Sequence, residues 1–323
     1  MGAHETSTDR SDKIGPKFSV VIPVYNSEKT IFQAIERVCT TFESKGISYE
    51  VIAVNDGSKD GSWEKLVETC EQLPNVTAIN LIRNFGQHNA NLCGFNHSMG
   101  EYVVTLDDDL QNPPEEIHKL IAKSEEGHDL VIGRFRTKKH SLGRRIGSKI
   151  VNRINEKIFS KPSDLVMTNF RLIHRSVVDR ITSFRGTDPY IPGLVIAYSG
   201  NPANVEVLHQ PREIGKSNYG IKEISKLILS MLFNYSIYPL RFMVASGFIV
   251  SILGFTLGST LIYRNITGNT VVPGWTSTVT LISFFSAFII LLLGVLGEYI
   301  IYITRSISQP LPYIQKEIRK SEK

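Results

Sequence analysis

The chain has 323 residues, 42% of them hydrophobic and 21% charged, with a formal net charge of +5 from 36 Lys+Arg against 31 Asp+Glu. That length suits about two domains, the apolar share excludes wholesale disorder, and the mild basic excess makes no case for nucleic acid as a partner. Cys39, Cys70 and Cys93 form no CxxC pair, which argues against a disulfide scaffold or a structural zinc site and fits reduced thiols in a cytosolic compartment.

Residues 1–16 are polar, lack the apolar run of a signal peptide and are expected to form a flexible tail. From 17 to 218, strand and helix patterns alternate. Phe18–Pro23 reads as a buried strand, and Asn26 or Ser27 can cap the helix that follows. Ile31, Ala34, Ile35, Val38 and Phe42 make one apolar face of that helix. A second strand, Tyr49–Val54, runs into Asn55-Asp-Gly-Ser-Lys-Asp-Gly61. A helix at 63–73, a strand at 76–81, a helix near 87–99 and a strand at 102–106 come next. Pro113-Pro-Glu-Glu116 opens another helix, with proline at its start and acids in its first turn. Val131–Gly133 is expected to close the series. This alternation predicts a mostly parallel α/β sheet with helices on both faces. Ligands of such sheets bind beyond the carboxyl ends of the strands. The loops after Pro23, Val54, Leu81 and Leu106 should therefore share one crevice.

At 219–240 the chain changes character. Ile221, Ile224, Leu227, Ile228, Met231, Leu232 and Tyr235 recur at helical spacing with Lys222, Glu223 and Lys226 between them. This reads as an amphipathic juxtamembrane helix, ended by Pro239. Two uncharged stretches follow within 241–304, Phe242–Tyr263 and Gly274–Gly297, and they predict two transmembrane helices at about 242–263 and 275–301. The last segment, 305–323, carries Arg305, Lys316, Arg319, Lys320 and Lys323. By the positive-inside rule this tail and the large N-terminal part are expected in the cytoplasm, on the inner face of the plasma membrane.

The expected crevice collects acids: Asp56 after the second strand, and Asp107, Asp108 and Asp109 after the fourth. Abutting carboxylates at the end of a buried strand repel one another unless a cation neutralises them. Oxygen ligands suit Mg²⁺ or Mn²⁺, and Mg²⁺ takes one or two carboxylates plus substrate phosphates. In an extended segment Asp107 and Asp109 would point one way and Asp108 the other. A metal-bridged diphosphate fits that pattern. Neither a GxGxxG nor a GxxxxGK[ST] loop is present, which argues against dinucleotide-binding and P-loop readings.

FSVVIPVYN at 18–26, the run at 55–61, Arg83-Asn-Phe-Gly86 and LDDDLQNPPE at 106–115 resemble the family 2 glycosyltransferases of GT-A fold. Within them the chain is similar to the polyprenyl-phosphate glycosyltransferases, which include dolichol-phosphate mannose synthases and bacterial undecaprenyl-phosphate sugar transferases. Asn169-Phe-Arg-Leu-Ile173, Arg212-Glu-Ile-Gly-Lys-Ser-Asn-Tyr219, Tyr238-Pro-Leu-Arg241 and Gly297-Glu-Tyr-Ile300 carry that second resemblance, which spans roughly 17–315. It implies an inverting transfer of a sugar from a nucleotide sugar, UDP-linked in the bacterial branch, to polyprenyl phosphate at a lipid bilayer.

The resemblance assigns Pro23, Tyr25, Asn26, Asp56 and Asp108 to the donor. It assigns Asp107 and Asp109 to the metal, with Gln111 beside them in the catalytic set. Arg136, Arg212, Lys216, Asn169 and Arg171 fall to phosphate and acceptor. Several relatives carry an acid where Asn169 stands, with Asp164 the nearest stand-in here. In others the phosphate-side arginine takes the place of Phe135, which leaves Arg134 and Arg136 as alternatives. A processive polysaccharide synthase is the nearest rival, but its Gln-x-x-Arg-Trp motif is missing. A catalytically degenerate membrane scaffold is the other, and the complete acidic loops oppose it. A homo-oligomer is compatible with this organisation.

Overall fold

All seven residues of β1 (Phe18–Val24) are buried, as a strand covered on both faces requires. The structure is a computed structural model that describes residues 15–135, 151–184, 189–210, 221–267, 274–308 and 311–322. Parallel to β1 lie β2 (Tyr49–Asn55) on one side and β4 (Tyr102–Thr105) on the other. β3 (Val76–Leu81) extends the sheet beyond β2, again parallel. The crossovers are α1 (Ile31–Glu43), α2 (Ser62–Gln72) and α3 (Gln87–His97). α1 buries the expected face, Ile31, Ala34, Ile35, Val38 and Phe42, and each large apolar side chain so buried is worth about 1.5–3 kcal/mol. α3 lies so close to β1 that a Cβ on Gly94 would stand 2.3 Å from a Val21 methyl. Because the chain leaves β1 toward β2 yet places β4 on the opposite side, the sheet order reverses between β1 and β4. That switch point is where an open α/β sheet presents a ligand crevice.

The alternation does not close at Gly133. β5 (Leu130–Phe135) is followed by β6 (Arg171–His174), which inserts antiparallel between β4 and β5. β7 (Pro202–Val207) then pairs parallel with β5. The flanking helices are α4 (Ile117–Ser124), a helix described over 151–158 (α5), α6 (Arg175–Thr182) and α7 (Ile191–Tyr198). The C-terminal segment, expected as a separate tail, supplies β8 (Gln315–Lys320), antiparallel to β3. The eight-stranded order is β7-β5-β6-β4-β1-β2-β3-β8. The cap of α1 also differs from expectation. Its N-cap is Thr30 with no side-chain cap bond, because Asn26 and Ser27 are occupied in the crevice.

The chain divides into two units, Met1–Asn218 with Leu311–Lys323, and Tyr219–Pro310. The second unit holds α8 (Ile221–Tyr235), α9 (Tyr238–Ile266) and α10 (Trp275–Ser308). Met231 and Ser236 are buried within it, and the Tyr299 hydroxyl donates to the Ser236 carbonyl. Among the described residues one segment, Phe284–Ile301 of α10, is long and apolar enough to cross a membrane, with mean hydropathy 2.3 and none of it buried. α9 passes only as a shorter apolar helix, Tyr238–Gly254. Thr256, Gly258, Ser259 and Thr260 dilute its second half, so one of the two expected spans is met on hydropathy.

Candidate functional site

The carboxyl ends of β1 to β4 are sewn together by side chains that each bridge two loops. At the β1 end Asn26 adopts a left-handed conformation, φ 54°. Its backbone N–H donates to Ser58 Oγ at 2.9 Å and its Oδ1 accepts from the Lys59 N–H at 2.8 Å. The β1 loop is thus fastened to the β2 loop. The β2 loop is fastened in turn to the segment after β3. Asp56, 3% exposed, accepts the N–H groups of Phe85 and Gly86 at 2.7 and 2.9 Å. Burial pushes the Asp56 carboxyl up to about 6, against those two bonds, which favour its charged form. Gly57 next to it has φ +64°, and a Cβ there would fall 2.3 Å from the Arg83 carbonyl carbon. No other residue fits that turn.

The fourth loop carries the acids, and the structure separates their partners. Asp108 faces β1, where its Oδ2 accepts from the Tyr25 N–H at 3.1 Å and from Ser27 Oγ. Asp107 faces α3 and β6, where its Oδ1 accepts from Gln87 Nε2 at 2.7 Å and Asn169 Nδ2 at 3.3 Å. Asp109 Oδ1 accepts the Gln111 N–H at 3.2 Å. The alternation expected of an extended segment is instead produced by a turn, in which Leu110 has φ 59°. Burial is the first cause that raises both Asp107 and Asp108 to about 6, and the charge of Asp109 adds to it at both. Three crowded carboxylates of this kind favour a cation. Among the described residues no group of three or more His, Cys, Asp or Glu side chains has the geometry of a metal cage. With Asp108 engaged by Ser27, the donor set is two carboxylates and open positions.

Below the acidic loop lies a buried cation. Arg171 on β6 is 1% exposed and donates from Nη2 to Asn169 Oδ1 at 2.8 Å. Burial lowers its guanidinium to about 10, opposed by the charge of Asp107. Arg171 therefore sits beneath the crevice, not among groups open to a substrate phosphate as the sequence reading had it. Half-buried His88 on α3 packs edge-on against Tyr190 at 5.5 Å, and burial together with Arg171 holds its ring down to about 4. Gln111 accepts the Gln210 N–H on its carbonyl at 2.9 Å, and Leu208 N–H donates to Glu116, so the stretch after β7 braces the acidic loop.

The structure brings together Tyr25, Asn26, Asp56, Asp107, Asp108, Asp109, Gln111 and Asn169, with Pro23 buried in β1. Arg134 is exposed near the end of β5. Arg136, Arg212 and Lys216 lie outside the described residues. Asp164 is exposed, with its charge felt by the amine of Lys161. The sequence reading missed Ser27, Gln87 and His88. A glutamine at the first position of a helix close after a strand end was the only signal for Gln87, and nothing local marks the other two.

The family model described as Glycosyl transferase family 2 matches residues 19–182, just over half of the chain. Three crystal structures of glucosyl-3-phosphoglycerate synthase from Mycobacterium tuberculosis are similar in fold. One is the complex with phosphoglyceric acid, at TM-score 0.51 and 18% identity over 68% of this chain and 79% of that one. Another, with Mn²⁺, UDP and phosphoglyceric acid, has TM-score 0.51 and 18% identity over 68% and 78%. A third, with Mn²⁺, UDP-glucose and phosphoglyceric acid, has TM-score 0.51 and 16% identity over 68% and 79%.

Proposed function

The chain belongs to glycosyl transferase family 2, and from that premise we propose that it is a membrane-bound inverting glycosyltransferase, moving a sugar from a UDP-linked donor to polyprenyl phosphate. Undecaprenyl phosphate of a bacterial envelope is the acceptor of choice. One observation carries the reading: an acidic crevice at a sheet switch point and helices with exposed apolar faces occur in a single chain. Phe242, Phe248 and Ile290 are 74%, 68% and 68% exposed, which suits lipid and not water.

Strand pairing supports two spans. β8 hydrogen-bonds to β3 in the sheet that residues 18–207 build. Both ends of the helical unit therefore lie on one side of any membrane, and the number of crossings between them is even. With α10 as one span, α9 is the other. The basic residues of 305–323 support a cytoplasmic position for that side, at the inner face of the plasma membrane.

At the site, Asp107 and Asp109 would hold Mg²⁺ or Mn²⁺, as their two-carboxylate, open arrangement suits. Bound there, the metal would neutralise the donor diphosphate and act as a Lewis acid on the leaving phosphate. Pro23, Tyr25, Asn26 and Asp56 shape the nucleoside side, and Asp108 fixes the β1 loop through Ser27. Arg136, Arg212 and Lys216 supply the cationic cradle for phosphate, where an arginine fork can bind two oxygens at once. Asn169 cannot take a proton, and none needs taking. A phosphate monoester has a second pKa near ~6 and is largely dianionic at pH 7. Its oxygen forms the new bond to the anomeric carbon while the bond from that carbon to the nucleoside diphosphate breaks. Alignment and charge complementarity supply the catalysis.

The test uses membranes containing the full chain, a panel of UDP- and GDP-sugars, undecaprenyl phosphate, and Mn²⁺ or Mg²⁺. A single sugar on the lipid phosphate is the expected product. Polymer would favour the processive synthase. Transfer to soluble phosphoglyceric acid with the lipid untouched would overturn the acceptor, and no product with any pair would favour the scaffold.

A further inference from the structure

Asn169 stands between two groups, Arg171 and Asp107, that share no direct hydrogen bond or ion pair among the described residues. Arg171 can only donate and the Asp107 carboxylate can only accept. A neutral amide does both, and here it accepts from Arg171 Nη2 at 2.8 Å on Oδ1 and donates from Nδ2 to Asp107 at 3.3 Å. This order also settles which end of the amide faces which partner. The Asn169 backbone is held as well, since its carbonyl accepts from Thr105 Oγ1 on β4. Gln87 Nε2 at 2.7 Å converges on the same Asp107 oxygen, Oδ1. No hydrogen bond to Oδ2 is present among the described residues.

Arg171 has the marks of a group kept for what it does to the site. It is 1% exposed, and its Nε has no hydrogen-bond partner among the described residues. A buried cation costs several kcal/mol unless charge compensates it, and Asp107 is the carboxylate whose charge supports it. An acid at position 169 would pair with Arg171, lose the donor and set a fourth carboxylate against the acidic loop.

We propose that Asn169 and Arg171 are positioning residues: Arg171 orients the Asn169 amide, which with Gln87 holds Asp107 Oδ1 and leaves Oδ2 facing the crevice to bind the divalent metal. The proposal rests on the metal role given to Asp107 above, and it replaces a phosphate-binding part for both residues. Partners of this kind behind a metal ligand change metal affinity by about 10–100-fold when removed.

The experiment is titration of Mn²⁺ into the full-length, detergent-purified protein with UDP, followed by electron paramagnetic resonance of free Mn²⁺, alongside thermal unfolding and steady-state kinetics. Asn169→Ala should raise the Mn²⁺ concentration for half-saturation about tenfold, within the range for such outer partners, with little change in unfolding temperature. Asn169→Asp keeps an acceptor for Arg171 but loses the donor to Asp107, and should bind Mn²⁺ as poorly as Asn169→Ala. Arg171→Lys, the variant that keeps the charge if Arg171→Met fails to fold, should weaken Mn²⁺ binding in the wild-type background and add little in Asn169→Ala, since the two act in series. Excess Mn²⁺ should restore much of kcat in each. Wild-type Mn²⁺ binding by Asn169→Ala, or by Asn169→Asp, would overturn the proposal, as would fully additive effects of the two positions. A raised KM for the lipid acceptor with unchanged Mn²⁺ binding would return both residues to the acceptor. If Mn²⁺ binding behaves as expected but no lipid acceptor is glycosylated, the acceptor assignment fails while this inference stands.

Discussion

In the sheet unit, Val20, Ile22 and Ile35 are completely buried, whereas in the helical unit Phe242, Phe248 and Ile290 stand 74%, 68% and 68% exposed. The helical unit is the more apolar of the two in sequence, and the two regions place their apolar surface in opposite ways. In the sheet unit the apolar residues follow a period, as in α1, whose one buried face leaves Gln33, Glu36 and Arg37 off the core. In α9 and α10 they surround the helix, and a helix that is apolar all round needs either a core or a lipid phase. None of Phe284–Ile301 is buried, which suits the lipid phase proposed above. Polar residues show the same contrast. The sheet unit concentrates carboxylates at one strand end and spends hydrogen bonds to hold them there, and the helical unit has a single acid, Glu298, between Gly274 and Ile303.

The sharpest way to separate the regions is to remove chemistry without touching packing. Asp109→Ala should abolish transfer, because loss of a metal carboxylate costs several kcal/mol of leaving-group stabilisation, about a thousandfold or more in rate. Its fold and its membrane fraction should match the wild type. Near-normal turnover at saturating Mn²⁺ would remove Asp109 from the metal site.

One substitution made in both regions tests the comparison directly. Ile22→Asp buries an unpaired carboxylate in β1 and should cost several kcal/mol, enough to unfold the sheet unit. Ile290→Asp should leave the sheet folded, with UDP binding intact. Its penalty falls on insertion of α10, about 2.5–3.5 kcal/mol for an acid at mid-helix, and shows as protein lost from the membrane fraction. An Ile290→Asp protein that still resists carbonate extraction would place α10 outside the lipid.

A smaller effect is expected at Asp164, which is exposed. If the acceptor phosphate is itself the nucleophile, Asp164→Asn should reduce transfer by less than tenfold, under about 1.4 kcal/mol of barrier. Arg212→Ala should cost far more through lost phosphate contacts. The opposite ranking would install a carboxylate base and displace the phosphate cradle.

The two regions also differ in how far they can be read without a structure. β1 to β5, α1 and α2 follow from apolar runs and periods because every one of them packs on at least one apolar face. The shared crevice follows too, since parallel strands bring their carboxyl ends to one edge. β6 is four residues long with Arg171 in it, β7 is half-exposed, and β8 reads QKEIRK. Their strand character comes from the neighbour that supplies the hydrogen bonds, not from their own patterns. Within the site, Asp107, Asp108 and Asp109 are legible because three adjacent acids at the end of a buried strand repel one another, and Asp56 because it follows the neighbouring strand into the same crevice. Asn169 and Arg171 were legible as a motif, but no local signal tells whether an arginine points into a crevice or, like Arg171, lies buried beneath it. Gln87 and His88 belong to α3, whose pattern reports only that it is a helix.

The smallest expected effect is on pH, and it carries opposite signs at two neighbouring positions. Asp56 titrates at about 6 in the folded chain against 3.8 for the free group. The folded state thus holds a proton that the unfolded state releases, so the burial penalty of the charged form is relieved as pH falls through 6 and is gone below 3.8. His88 titrates at about 4 against 6.5. The unfolded state takes its proton first, so stability is lost as pH falls from 6.5 toward 4. Between pH 7.5 and 5.5 each contribution is on the order of 1 kcal/mol, a few degrees in unfolding temperature for a unit of this size. Asp56→Asn should therefore make the change in unfolding temperature on going from pH 7.5 to 5.5 more negative than in the wild type, and His88→Gln should make it more positive. Calorimetry of both variants at the two pH values, without metal or nucleotide, reads the difference. If both shift the same way, one of the two groups does not have the buried environment described here, and the variant whose sign is reversed identifies it.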